Sequence, residues 1–134
     1  MTNQNLAEEA IQLLKQLIST QSFSREEEHT AALIYDNLKA SAIEVERVGN
    51  NLIAQNLHFD PALPTVLLNS HHDTVTPNSG YTLNPIEPIE KEGKLYGLGS
   101  NDAGGALVCL LMVFKSFYSS KLPFNLCFVA SAEE

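Results

Sequence analysis

The sequence predicts an α/β sandwich, because helical and strand-like segments alternate along the chain. Apolar residues recur at helical spacing from about residue 5 to residue 20, and a second helical segment follows Ser24. Two short apolar runs, residues 65–68 and 124–130, have the pattern of strands that are buried on both faces. Between them, residues 106–117 are apolar on nearly every side, which predicts a helix that is buried on most sides. Helices that alternate with buried strands are typical of a sheet covered by helices.

Composition supports a folded domain and excludes several classes of partner. Of 134 residues, 44% are hydrophobic and 18% are charged, which is close to the average for a folded soluble domain. The 8 basic residues are scattered and the 16 acidic residues give a net charge of −8. Because nucleic acids and anionic membranes require clustered basic residues, we expect neither as a partner. Excess acid also serves solubility, so the charge alone identifies no ligand.

The two N-terminal helices have ordinary sequence signals. The first has an apolar face formed by Leu6, Ala10, Leu14, Leu17 and Ile18. In the second, Ser24 and Glu27 have the spacing of a capping box. Three glutamates, residues 26–28, fall where a helix dipole favours negative charge, so we interpret them as a helix start rather than a binding patch.

A hairpin and a long loop occupy the middle of the chain. Residues 43–48 and 52–57 predict two strands joined by a turn at Gly49 and Asn50. Residues 76–92 contain three prolines and are predicted to be mostly loop. A short strand and a glycine-rich turn then lead to the apolar helix.

The cysteines and the N-terminus indicate an intracellular protein. Cys109 and Cys127 lie in apolar runs without metal or redox spacing, and we interpret them as buried free thiols of a reducing compartment. Residues 1–5 lack the features of a signal peptide, and the longest apolar stretch, residues 106–114, is too short to span a bilayer. We therefore expect a cytoplasmic protein.

Three polar clusters follow or precede the predicted buried elements. Residues 71–73 (His-His-Asp) directly follow the first buried strand, Asp102 lies in the glycine-rich turn, and residues 133–134 (Glu-Glu) directly follow the second strand. Ligands bind at the carboxyl ends of strands in open α/β sheets. Converging carboxylates repel one another unless a cation is present, and these residue types are zinc ligands. The pattern fits a metal site, or strand ends that simply emerge into solvent.

Three motifs resemble those of a known enzyme family. Residues 69–75 (Asn-Ser-His-His-Asp-Thr-Val) resemble the His-x-Asp signature of the co-catalytic zinc amidohydrolases, which include acetylornithine deacetylase, succinyl-diaminopimelate desuccinylase, glutamate carboxypeptidases, aminoacylases and dipeptidases. The turn around Asp102 and the segment at residues 131–134 resemble the second and third signatures, in the family's order. The resemblance implies an incomplete, zinc-exopeptidase-like three-layer sandwich with a mixed, mostly parallel sheet.

The resemblance also implies roles for five residues and a cofactor. His71 would bind one zinc ion, Asp102 would bridge two, and Glu134 would bind the second. Asp73 would accept a hydrogen bond from the other ring nitrogen of His71, and Glu133 would be the general base. Adjacent side chains of an extended segment point to opposite sides, which fits different roles for the two glutamates. The implied cofactor is two Zn²⁺ ions, for which Co²⁺ can substitute.

Three features depart from the family pattern or compete with it. Gly104 stands where the family often has a lysine, which affects the subfamily and not the bridging by Asp102. His72 occupies the variable position of the His-x-Asp signature, and a side chain that points away is favoured over a second ligand. Residues 97–99 mimic the start of a dinucleotide fingerprint, but the charge of Asp102 would repel a pyrophosphate.

The resemblance implies that more chain is needed for a complete enzyme. We expect residues 1–134 to be the N-terminal portion of a catalytic zinc-binding domain, with the rest of that domain and a lid or dimerisation domain absent. The whole enzyme would be a homodimer that hydrolyses an N-acyl amino acid, acetylornithine in arginine biosynthesis being the first candidate, and the fragment itself would be inactive. The alternatives are a dipeptidase or carboxypeptidase of the same family, or a non-catalytic module that binds a metal or a partner.

Overall fold

The computed structural model describes residues 2–133, except for the side chain of Asn3. It confirms the predicted mixed α/β fold, with a four-stranded sheet, a separate two-stranded hairpin and three helices. The elements in chain order are α1 (Asn3–Ser19), α2 (Glu28–Ala40), β1 (Glu46–Val48), β2 (Asn51–Gln55), β3 (Thr65–His71), β4 (Ile89–Lys91), β5 (Lys94–Tyr96), α3 (Gly105–Phe117) and β6 (Asn125–Ser131).

The main sheet has the strand order β1-β2-β6-β3 and is mixed. The β3–β6 pair is parallel, and the β1–β2 and β2–β6 pairs are antiparallel. Parallel pairing is thus present as expected, but it does not predominate among the described strands. The two-residue turn at Gly49 and Asn50 forces β1 and β2 to be antiparallel, whereas β3 reaches β6 through the crossover helix α3.

All three helices share one core with one face of the sheet. The core joins side chains of α1, α2, α3, β2 and β6, and its fully buried members include Ile34, Leu38, Leu52, Leu107, Leu111, Phe114 and Phe128. Burial of each such side chain contributes about 1.5–3 kcal/mol. This core fixes α3 against the ends of β3 and β6, where the polar clusters lie.

Two expectations about burial are wrong for the described chain. The β3 strand is the edge of the sheet and not buried on both faces, because Val66 is 44% exposed and Leu67 59% exposed. The outer face of α3 is also open, with Val113 and Phe117 nearly half-exposed. The reason is that residues 2–133 form two of the three predicted layers, so the opposite face of the sheet and the outer face of α3 have no cover there.

The predicted N-terminal helix and hairpin are confirmed, but the predicted cap of the second helix is not. The α2 helix begins at Glu28, and Glu27 rather than Ser24 occupies the residue before it. The carboxylate of Glu27 accepts a hydrogen bond from the backbone N–H of Arg25 at 2.7 Å. The glutamate cluster therefore lies at the helix start as predicted, but the Glu27 side chain bonds to the segment before α2 and does not cap the helix.

The cysteines are free, as expected, but less buried than expected. Cys109 lies on the open face of α3 and is exposed, and Cys127 is half-buried on β6. Burial raises the pKa of the Cys127 thiol. Within residues 2–133, every helix is too short or too polar to cross a bilayer.

Candidate metal centre

The site lies where the parallel strands β3 and β6 end together. His71, the last residue of β3, is paired in register with Ser131, the last residue of β6. The backbone N–H of His72 donates to the carbonyl of Ser131 at 3.0 Å, which continues the pairing beyond the strand. Residues 71–73 and Glu133 are consequently at the same edge of the sheet, as the sequence predicted from the carboxyl ends of strands.

The turn that carries Asp102 connects β5 to α3 and lies beside this edge. It is a single wide turn, Ser100–Gly104, in which Asp102 and Ala103 have non-helical backbone angles and are joined by a cis peptide bond. The N–H of Gly104 donates to the carbonyl of Gly99 at 2.7 Å. The hydroxyl of Ser70 donates to the carbonyl of Ala103 at 3.4 Å, so β3 is directly bonded to the turn.

The ring of His71 lies between two aspartates. Its Nε2 atom is 3.0 Å from Oδ1 of Asp102, and its Nδ1 atom is 3.1 Å from the carbonyl oxygen and 3.4 Å from Oδ1 of Asp73. His71 and Asp73 are largely buried, whereas the Asp102 side chain is 86% exposed. Asp73 therefore holds the imidazole ring at Nδ1, and Nε2, on the other side of the ring, faces the Asp102 carboxylate.

These donor atoms suit part of a metal site. His71, Asp73 and Asp102 line a cavity of about 270 Å³, together with Tyr81 and residues 97–101. Imidazole nitrogen and carboxylate oxygen are zinc ligands. Residues 2–133 do not contain a group of three His, Cys, Asp or Glu side chains close enough to hold a metal ion. The predicted ligand Glu134 lies outside the described residues, so the ligand set stays a prediction.

Glu133, the predicted general base, lies two residues beyond β6 and pairs with an arginine. Its backbone φ is 63°, and its Oε1 atom accepts a hydrogen bond from Nε of Arg25 at 3.0 Å. The two side chains are mostly exposed. Its catalytic role is not tested by this geometry and stays a prediction.

Arg25 also belongs to this region, although no sequence motif includes it. The residue comes close because the segment before α2 runs along the end of β3, where the N–H of Thr74 donates to the carbonyl of Ser22 at 2.7 Å. Arg25 and Glu133 are 108 positions apart in the chain. Nothing in the local sequence signals such a contact, and the same is true of Tyr81 in the cavity wall.

His72 is buried and does not belong to the ligand pair. Its ring is 6% exposed, with Nδ1 at 2.8 Å from Oγ1 of Thr30 and Nε2 at 2.8 Å from the carbonyl of Asn50. Burial lowers its pKa, because the cationic ring would lose its hydration. This matches the expectation that the His72 side chain points away from the site.

This chain is similar in sequence to a peptidase family and to curated enzymes. The model of peptidase family M20/M25/M40 matches residues 67–134, half of the chain. Acetylornithine deacetylase of Proteus mirabilis (strain HI4320) is 34% identical over 138 residues, which cover 92% of this chain and 35% of that protein. The chain spans about a third of the length of the curated relatives it matches.

Solved structures share the fold. Human carnosine dipeptidase 1 superposes with a TM-score of 0.76 at 24% identity, over 98% of this chain and 34% of that one. The YXEP protein of Bacillus subtilis, described as a dinuclear metal-binding peptidase of the M20 family, superposes with a TM-score of 0.71 at 17% identity, over 98% of this chain and 37% of that one. At these identities the likeness shows the fold alone.

Proposed function

The chain belongs to peptidase family M20/M25/M40, and from this we propose that the whole protein is a metal-dependent hydrolase of amide bonds in N-acyl amino acids. The observation that carries the proposal is the His71–Asp102 pair, with Nε2 and Oδ1 3.0 Å apart at a cavity and Asp73 behind the ring. We further propose acetylornithine as the substrate, because the Proteus mirabilis relative that is 34% identical is an acetylornithine deacetylase. Arginine biosynthesis would then be the pathway served.

The proposed metal centre is formed by His71, Asp102 and Glu134. Asp102 has two carboxylate oxygens and would bridge two ions, while His71 and Glu134 would each bind one. Two Zn²⁺ ions, or Co²⁺ in their place, would polarise the scissile carbonyl and acidify a water molecule. The dinuclear metal-binding peptidase of Bacillus subtilis, which shares the fold, supports this number of ions. Residues beyond the described part of the chain would complete the coordination.

The proposed chemistry assigns proton transfer to Glu133. Its carboxylate would take a proton from the attacking water as the water oxygen bonds to the amide carbon. It would then deliver that proton to the nitrogen as the carbon–nitrogen bond breaks, which gives an amine and a carboxylate. Asp73 would contact no substrate and would hold the ring of His71 in its tautomer.

The proposed setting is a cytoplasmic homodimer with a small-molecule substrate. A net charge of −8 with scattered basic residues speaks against nucleic acid and anionic membranes as partners. A dipeptidase is the second candidate, because the fold matches that of carnosine dipeptidase 1 over nearly the whole chain. A non-catalytic module that binds a metal or a partner on this scaffold is the third.

The test uses the full-length protein, because the 134-residue chain is expected to be inactive. The zinc-loaded protein is assayed for amine release from acetylornithine, other N-acyl amino acids and dipeptides. The Glu133→Gln variant is expected to lose roughly 10²–10⁴-fold in kcat, since its amide cannot accept the proton, while metal content is retained. Glu8→Gln, an exposed change on α1, is the matched control.

The outcomes separate the candidates. Cleavage of dipeptides in place of acetylornithine would favour the dipeptidase assignment. Metal binding without hydrolysis of any of these substrates would favour the non-catalytic module. A Glu133→Gln variant with the wild-type rate would contradict the assignment of the general base.

A further inference from the structure

The side chain of His72, between the site residues His71 and Asp73, is held on the opposite side of the backbone. His72 lies between His71 and Asp73 in the chain, but its ring is buried beneath α2 and the β1–β2 turn. Both ring nitrogens have partners at 2.8 Å, the hydroxyl of Thr30 and the carbonyl of Asn50. Buried polar side chains with two short, specific partners restrict the backbone to which they are attached.

The identity of these partners fixes the tautomer of His72. A backbone carbonyl only accepts hydrogen bonds, so Nε2 must carry the proton and donate it to Asn50. In the neutral ring, the Nδ1 atom then accepts the single hydroxyl proton of Thr30, whose oxygen also lies 3.2 Å from the carbonyl of Glu27. Both nitrogens are used in these bonds, and His72 therefore offers no lone pair to a cation.

Glu27, Thr30 and His72 are buried and form one polar cluster with the partly buried Asn50. Glu27 is 1% exposed and Thr30 is fully buried. The side-chain amide of Asn50 donates to Oε2 of Glu27 at 3.4 Å, and Oε1 of Glu27 accepts the N–H of Arg25 at 2.7 Å. The cluster thus connects the start of α2 and the β1–β2 turn to the end of β3.

The position of this cluster affects the orientation of His71 and Asp73 in the candidate metal centre. In an extended backbone, neighbouring side chains point to opposite sides, so a fixed His72 ring sets the direction of the residues on either side of it. Those residues, His71 and Asp73, line the cavity and contact each other. The backbone N–H of His72 is also bonded to Ser131, which limits rotation of this segment.

We propose that His72 is a positioning residue, whose buried hydrogen bonds to Thr30 and Asn50 hold His71 and Asp73 in the orientation that binds a divalent cation. This inference rests on the proposed metal-dependent function. Groups that orient a metal ligand from behind typically change metal affinity about 10–100-fold when they are removed. We expect an effect of that size from the loss of the Thr30–His72 bond.

The most informative variant is Thr30→Val, because it removes the hydroxyl and keeps the shape of the side chain. Thr30→Ser retains the hydroxyl and should keep the bond, and Thr20→Val removes a hydroxyl that donates to the carbonyl of Gln16 in α1. His72→Leu removes both ring bonds. All four variants are made in the full-length protein, with Zn²⁺ and Co²⁺ affinity measured by chelator competition and the visible spectrum recorded with Co²⁺.

We expect Thr30→Val and His72→Leu to weaken cation binding about 10–100-fold and to alter the Co²⁺ spectrum. Thr30→Ser and Thr20→Val should bind like the wild type. A lower melting temperature of metal-free Thr30→Val with unchanged cation affinity and spectrum would show a purely structural role and overturn the inference. If His72→Leu does not fold, the comparison of Thr30→Val with Thr30→Ser is sufficient to test the inference.

These measurements also distinguish a failure of the proposed positioning role from a failure of the proposed metal-dependent function. A wild-type protein that binds no divalent cation would overturn both. A wild-type protein that binds metal and hydrolyses its substrate, with a Thr30→Val variant of equal cation affinity, would overturn only the positioning by His72.

Discussion

The two nitrogens of the His71 ring have different partners, and this difference decides which of them would bind a metal. Nδ1 faces the carbonyl and carboxylate oxygens of Asp73, which are both acceptors in the ionised form. In the neutral ring, Nδ1 therefore carries the proton and Nε2 carries the lone pair that a cation would use. Nε2 faces Asp102, the predicted bridging ligand.

Asp73→Asn tests this arrangement at the scale of one residue. The change keeps the size of a buried side chain but replaces a charged acceptor with an amide. We expect Zn²⁺ affinity of the full-length protein to fall about 10–100-fold, because the tautomer and orientation of His71 become less well defined. Asp36→Asn, an exposed change on α2, is the control, and equal affinity in both variants would contradict the role given to Asp73.

At the scale of elements, the turn before α3 depends on a glycine that local backbone geometry requires. Gly99 has a φ of 76°, and a Cβ atom there would lie 2.7 Å from Cγ2 of Thr74. Gly93, in the β4–β5 turn, has a similar φ of 72° but no atom within 4 Å of such a Cβ. Alanine substitutions at the two glycines therefore distinguish the free-energy cost of the left-handed backbone conformation from the cost of a clash with Thr74.

Gly93→Ala should lower the free energy of unfolding by about 1–2 kcal/mol, the cost of a left-handed conformation for a residue with a Cβ. Gly99→Ala should cost more than this, because the added methyl group meets Cγ2 of Thr74, in the segment after β3, and pushes the turn away from it. The shift of the turn should move Asp102 and weaken cation binding, which Gly93→Ala should leave unchanged. Denaturant midpoints and chelator competition measure both effects, and equal losses for the two variants would argue against this account.

Elements fixed by local signals were predictable, and those fixed by distant neighbours were not. The α1 helix and the β1–β2 hairpin follow from apolar spacing and from a Gly49–Asn50 turn, so the sequence located both. The exposure of β3 depends on its place at the edge of the sheet, which an apolar run does not encode. Likewise, Ser24 has the spacing of a cap, but α2 begins only after Glu27, which makes no side-chain cap bond.

In the candidate metal centre, too, contacts signalled by local motifs were predictable and contacts that depend on packing were not. Motifs predicted that His71 and Asp102, 31 positions apart, lie close together, because strand ends and a glycine-rich turn share one edge of the sheet. The contacts of His72 with Thr30 and Asn50 depend on how α2 and the hairpin pack. No motif reports that packing, so the sequence indicated only that His72 points away.

At the scale of the whole molecule, part of the exposed apolar surface lies on the edge strand β3 and the outer face of α3. Val66, Leu67, Val113 and Phe117 are each 44–59% exposed. Exposed apolar edges of sheets promote association with other chains. Since the chain spans about a third of its curated relatives, we propose that the remaining part of a longer protein covers these surfaces.

Leu67→Lys tests that proposal, because its effect on stability should be small in the 134-residue chain and large in the full-length protein. In the 134-residue chain, Leu67 is 59% exposed, so the change should lower aggregation and the binding of a dye that reports exposed apolar surface. It should alter the free energy of unfolding by no more than about 0.5 kcal/mol. In the full-length protein, a lysine buried in a covered sheet face should lower the melting temperature by several degrees. Leu57→Lys, at a residue 58% exposed outside the strands, controls for the loss of a surface leucine. A full-length Leu67→Lys protein as stable as the wild type would mean that this face stays open to solvent, and that the third layer of the predicted sandwich does not form over β3.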